Sequence, residues 1–162
     1  MAHCAESNIN PFQPSAEKPW DKRTALHLFR RATFGANLNA VNASLTQNPN
    51  VVVDKIVNDA LVLPLTTAPL WANWTLSNYS ADPNERNTQI GLQIIEWQSQ
   101  WVFDMKKNGL RDKMSWFWGN HFVTKIDMYG CPSWMYRYHL LLQKHALGNF
   151  KTFVSEIGLT PA

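Results

Sequence analysis

The sequence predicts an all-α protein: an array of about six or seven helices, orthogonal or bundle-like, preceded by an irregular N-terminal arm. Three observations carry this expectation. Apolar residues recur with the 3.6-residue period in one segment after another, and no stretch sustains the period-two alternation of a half-buried strand. Most periodic segments are bracketed by helix punctuation, with Asp, Asn or Ser before them and Gly or Pro after.

Residues 1–20 hold Pro11, Pro14 and Pro19 among scattered polar residues and read as an irregular arm that packs through Phe12 and Trp20. Residues 21–162 form the helical domain. Asp21 is suited to cap a first helix over 22–34, with Ala25, Leu28, Phe29 and Ala32 on its apolar face and Gly35 as its stop. Asn37 or Asn39 starts a short second helix carrying Leu38, Val41 and Leu45, which Pro49 closes. Three adjacent valines at 51–53 raise a strand alternative. The spacing of Val52, Val53, Ile56, Val57 and Ala60 favours a third helix to Leu61.

Residues 62–84 are a long Pro-, Thr- and Asn-rich connection, and a loop of this length in a compact domain needs pinning side chains. Trp71 and Trp74 are the expected pins. The longest helix begins near Asp82–Asn84 and runs to about Lys107, with Ile90, Ile94, Trp97, Trp101 and Met105 on one stripe. Lys106 and Lys107 oppose the negative end of its dipole, and Gly109 ends it. A further helix places Leu110, Met114, Phe117, Trp118 and His121 on one face. After a loop through Asp127 and Gly130, Ser133 is expected to cap a helix over 134–147, whose face is Trp134, Tyr138, Leu141, Leu142 and His145. Asn149 caps a last helix bearing Phe150, Phe153, Val154 and Ile157.

Composition narrows the function classes. Of the 162 residues 45% are hydrophobic and 17% charged, a globular and not a disordered balance. Eight tryptophans and eight phenylalanines bring much ring area to a core or an interface. A net charge of +3 is mild for a nucleic-acid binder, which concentrates far more basic charge on one face. No apolar run reaches the ~18 residues of a membrane span. The start, Met-Ala-His-Cys-Ala-Glu, lacks the basic and apolar regions of a signal peptide. Cys4 and Cys131 make neither a disulfide framework nor a zinc ribbon.

Two constellations carry possible chemistry. Arg23, His27, Arg30 and Arg31 share the polar side of the first helix, and planar guanidinium forks suit phosphate, sulfate or carboxylate. Ordinary solvated helix faces look the same, which is the competing and more frequent reading. The second set is His121, His139 and His145, with Asp127 and Cys131 between them. These are zinc-ligand types. Six residues place His139 and His145 about 240° apart around a helix, so one ion cannot take both. Core histidines are the favoured reading, and the sequence assigns no metal site. The serines lack a nucleophile-elbow context, and no glycine loop cradles phosphate. Trp116 lies off its helix's stripe and is a candidate for an exposed contact.

Three ordered fragments are similar to one bacterial family: Ala25–Gly35 (ALHLFRRATFG), Asp112–Phe122 (DKMSWFWGNHF) and His145–Phe150 (HALGNF). Together they resemble the family called domain of unknown function 1800. The resemblance implies a longer, often exported protein encoded beside a sulfatase- or phosphatase-like partner. It also implies that this chain is the N-terminal part of such a protein, so that the expected partner is the remaining C-terminal part or another protein. Family members often carry His where Gly119 stands and Arg where Lys144 stands.

The favoured expectation is a helical scaffold or anion- and partner-binding module, not catalytic on its own. Its binding residues are Arg23, His27, Arg30 and Arg31, and its ligand is an anionic small molecule or polymer. The alternative is part of a hydrolase-like enzyme of exported-polymer metabolism, with His121 and Asp127 as catalytic residues. The residues name no cofactor and leave open whether the chain is an enzyme.

Overall fold

The computed structural model describes residues 10–125 and 130–160. Among them it has seven α-helices, one 3₁₀ turn and no strand: α1 Lys22–Ala32, α2 Leu38–Ser44, α3 Pro49–Leu61, α4 Pro83–Asn108, α5 Leu110–His121, α6 Pro132–Lys144 and α7 Phe150–Ile157. The 3₁₀ turn Leu76–Asn78 lies in the long connection. The all-α expectation holds, and none of the helices is long and apolar enough to cross a membrane.

Side-chain caps explain most helix starts. Asp21 accepts from the Thr24 amide, Asn37 from Asn39, Asn48 from Asn50, Asp82 from Asn84 and Glu85, and Asn149 from Thr152. Each satisfies an amide that the helix itself leaves unpaired. The structure corrects three readings of helix ends. Pro49 opens α3 at its first position, where a missing N–H costs nothing, instead of closing α2. Gly35 takes no left-handed conformation; α1 ends where Thr33 becomes extended and its hydroxyl bonds the Phe29 carbonyl. Ser133 lies inside α6, behind Pro132, and its hydroxyl bonds the Trp74 carbonyl across the fold at 3.0 Å.

Helices α4, α5 and α6 pack on one another at the centre, with α3 against α5, α2 against α1 and α7 against α6. One apolar cluster joins Trp71, Ala72, Trp97, Met135 and Tyr136; a second joins Tyr138, Leu142 and Phe153. Trp71 is a buried pin of the long connection, stacked edge-on to Trp97 and donating its indole N–H to Glu96 at 2.8 Å. Trp74 packs edge-on to Tyr79, whose hydroxyl donates to Gln93. Within residues 10–20, Phe12 lies against Trp20, and the Trp20 indole donates to the Ser44 carbonyl.

Helix α7 is held by Phe153, fully buried, and by Glu156, which accepts from Lys144 and pairs with His145 Nε2 at 2.9 Å. Those hydrogen bonds hold the Glu156 carboxyl below its ordinary pKa. Gly119 permits the close approach of α5 to α6: a β-carbon there would stand 3.3 Å from Leu142 and 4.0 Å from Trp101. Between α4 and α5 there is no loop. Gly109 alone makes the corner, at φ 61° and ψ −122°, a conformation that side-chain-bearing residues rarely adopt.

Candidate functional site

Two polar sites emerge, one on the surface and one in the core. The surface site follows from the amphipathic character of α1. Ala25 is fully buried on its inner side, which leaves Arg23, His27, Arg30 and Arg31 exposed on the outer side. The packing of the helices brings α5 alongside. Arg30 and Arg31 line a cleft of about 320 Å³ with Lys113, Met114, Trp116, Phe117 and Asn120. Among the described residues, Arg30, Arg31 and Lys113 form no ion pair. The Lys113 ammonium lies 4.7 Å from the centre of the Phe34 ring, a weak cation–π contact that leaves its charge uncompensated. Trp116 and Phe117 show 45% and 43% of their surface beside these cations. Arg23 and His27 line an adjoining depression that Arg30 also borders.

The buried site lies where α4, α5 and α6 meet. Asp112 of α5 is fully buried, and its Oδ2 accepts from Nε and Nη2 of the neighbouring Arg111, itself 4% exposed. Arg111 also donates to the Pro64 carbonyl, which ties the long connection to α5. Gln143 of α6 donates one amide to Asp112 Oδ1 at 2.8 Å and to Thr66 Oγ1 at 2.8 Å. Asp104 of α4, 5% exposed, accepts from Thr66 at 2.6 Å and from Gln100 at 2.9 Å. His139 of α6 completes the group. Its Nε2 stands 3.8 Å from Asp112 Oδ1, too far for a formed hydrogen bond, and neither ring nitrogen has a partner.

Burial works on both titrating groups. It would raise the Asp112 carboxyl, but the facing His139 side chain, the Arg111 guanidinium and the Gln143 amide outweigh it and hold the pKa at about 2. In His139 burial wins over the pull of the carboxylates, and the imidazole is held below its usual range. The ring is stacked on Trp101 at 4.2 Å and meets Trp97 edge-on at 5.5 Å.

A family model described as "Protein of unknown function (DUF1800)" matches residues 27–162. The chain belongs to the DUF1800 family. No curated protein and no solved structure matches it. The matched segment of this DUF1800 chain takes in His27, Arg30, Arg31, Lys113 and the whole buried network, while Arg23 lies just before it.

The structure separates the residues that the sequence grouped around His121. His121 is exposed at the end of α5, its Nδ1 on the Phe117 carbonyl at 2.8 Å and its ring against Phe117. It is not among the residues lining the α1/α5 cleft. Asp127 lies outside the described residues. His145 is buried beside Glu156, and Cys131 is a half-buried free thiol 3.2 Å from the Ser133 hydroxyl. Replacing His121 by alanine removes only an exposed ring. Urea denaturation is expected to show a change within about 0.5 kcal/mol; a loss above about 2 kcal/mol would mean that His121 holds structure that its exposure does not suggest.

Sequence reasoning missed Lys113 as a wall of the basic cleft and Arg111, Asp112, His139 and Gln143 as a unit. The signal was present. Gln93, Gln100 and Asp104 lie at the same 3–4-residue spacing as Trp97, so polar groups share the inner stripe of α4. A polar group on a buried stripe requires a partner from another element.

Proposed function

We propose that this DUF1800 chain is a non-catalytic helical module that binds an anionic group (sulfate, phosphate or carboxylate) in the cleft between α1 and α5. The observation that carries the proposal is the convergence of Arg30, Arg31 and Lys113 on one cleft with no carboxylate paired to any of them. Guanidinium forks hold oxyanions through two parallel hydrogen bonds, and a cation without a partner in the protein keeps its charge for a ligand. Trp116 and Phe117 give the cleft an apolar flank, which suits an anion carried on a sugar or another flat-faced group. Arg23 and His27 extend the basic surface along α1 toward a polymeric ligand.

The hydrolase reading requires His121 and Asp127 to face the same anion, and His121 does not line the cleft. A partner protein, or further chain of the same protein, would cover apolar surface; the exposed residues Leu92, Ile95, Val102 and Phe103 of α4 are the place for it.

Titration with sulfate, phosphate and a sulfated polysaccharide, followed by tryptophan fluorescence and calorimetry, tests the binding proposal. The wild type is expected to bind at least one of them. Arg30→Ala/Arg31→Ala should weaken that affinity at least about tenfold, the scale of one charge-assisted hydrogen bond, with His121→Ala unchanged. Absence of binding at millimolar ligand, or equal affinity in the double variant, overturns the proposal. Equal and salt-steep binding of DNA would assign the surface to general polyanion attraction instead.

A further inference from the structure

We infer that Asp104, Asp112 and His139 form a closed site for one divalent cation, which staples α4, α5 and α6 together. Each helix contributes one ligand, and the three donor atoms lie within 4.8 Å of one another. Tetrahedral ligands about 2.1 Å from a common ion stand about 3.4 Å apart, so ion binding would draw the three atoms in by up to about 1.4 Å from the 4.8 Å limit.

Two independent observations point to a cation. The first is the His139 imidazole. It is fully buried, it faces a carboxylate oxygen at 3.8 Å, and it satisfies neither nitrogen. Buried polar groups almost always find partners, and an orphan ring within 4.8 Å of oxygens of two carboxylates calls for one that an ion would supply. The second is charge. Among the described residues, Arg111 pairs with Asp112 alone, and the donors to Asp104, Thr66 and Gln100, are neutral, as is Gln143 on Asp112, so two buried carboxylates face one cation. The Thr66 and amide hydrogen bonds orient the carboxylates and leave lone pairs free toward His139, which is the role such outer partners play in metal sites.

The donor set, two oxygens and one neutral imidazole, selects a borderline or hard divalent ion such as Zn²⁺ or Mn²⁺ and not a soft one. Helical bundles commonly build such sites from carboxylates and histidine on facing helices. Here the site is sealed by the Trp97 and Trp101 rings, so the ion is structural. This inference is independent of the basic cleft, which none of Asp104, Asp112 and His139 lines.

The test uses untagged protein, stripped by chelator and then titrated separately with Zn²⁺, Mn²⁺ and Co²⁺. The expected results are close to one ion per chain by elemental analysis, a rise in melting temperature of several degrees with ion over chelator, and tryptophan quenching by Co²⁺ because Trp101 stacks on the ligand ring. Asp104→Asn and His139→Gln should each lower affinity at least about tenfold. The melting and quenching experiments on the wild type stand even where a variant fails to fold. Less than about 0.1 ion per chain with no melting shift overturns the inference. So does nuclear magnetic resonance showing a protonated His139 at neutral pH in metal-free protein, since a proton would then supply the missing charge.

Discussion

Replacing Asp112 by alanine is expected to destabilise the protein by about 3–5 kcal/mol, the loss typical when one member of a buried ion pair is removed. The reason is what remains. Arg111, 4% exposed, would keep its charge with only the Pro64 and Leu63 carbonyls in contact, and Gln143 would lose one of its two acceptors. Urea denaturation in the presence of chelator measures the protein groups alone; the midpoint should fall with little change of slope. The double variant Arg111→Met/Asp112→Leu removes both charges and should recover much of the loss, because a well-packed apolar pair replaces a desolvated ionic one. A single-variant cost below about 1 kcal/mol would show that water reaches the pair in solution.

Trp97→Ala should cost a similar amount, about 3–5 kcal/mol, through the cavity left by a large ring. Trp97 is 1% exposed and meets Tyr136 at 5.0 Å, His139 at 5.5 Å and Trp71 at 5.9 Å, all edge-on. Its alanine variant therefore loosens α4, α6 and the long connection at once. Trp97→Phe separates volume from polarity. The indole N–H has no acceptor in the core, so its removal relieves an unsatisfied donor and offsets part of the lost packing. The phenylalanine variant should lose less than half of what alanine loses, by the same denaturation measurement. Equal losses would mean that the N–H is bonded in solution, for example to a buried water.

The helices were legible because each is written locally. Asp21, Asn37, Asp82 and Asn149 sit where caps belong, and Trp97 and Trp101 recur on a stripe that the fold buries or half-buries. The exposed basic side of α1 was legible for the same reason, since one buried alanine face implies the other. The face of α5 was misread. Periodicity placed Phe117 and His121 inward, whereas the helix buries Arg111, Asp112 and Ser115 and leaves Phe117 and His121 exposed. Hydrophobic periodicity assumes that water is the only partner a polar group has. In this core Arg111 finds Pro64, forty-seven residues away, and Asp112 finds Gln143, thirty-one residues away. Such pairings depend on the assembled fold, and the local trace is only that polar groups share a buried stripe, which does not say with whom they pair. Lys113 was missed likewise, because its partners in the cleft come from α1.

The one-residue corner at Gly109 makes the phase of α5 an all-or-nothing quantity. A flexible loop between α4 and α5 would absorb an added residue. Here an insertion at 109 would turn α5 by about 100° around its axis and advance it by about 1.5 Å. Asp112 and Ser115 would rotate out of the centre, and their inward places would go to Arg111 and Met114, which offer the Gln143 amide N–H no oxygen to bond. A single-codon insertion at this corner would rewrite the interior of the protein while leaving every helix intact.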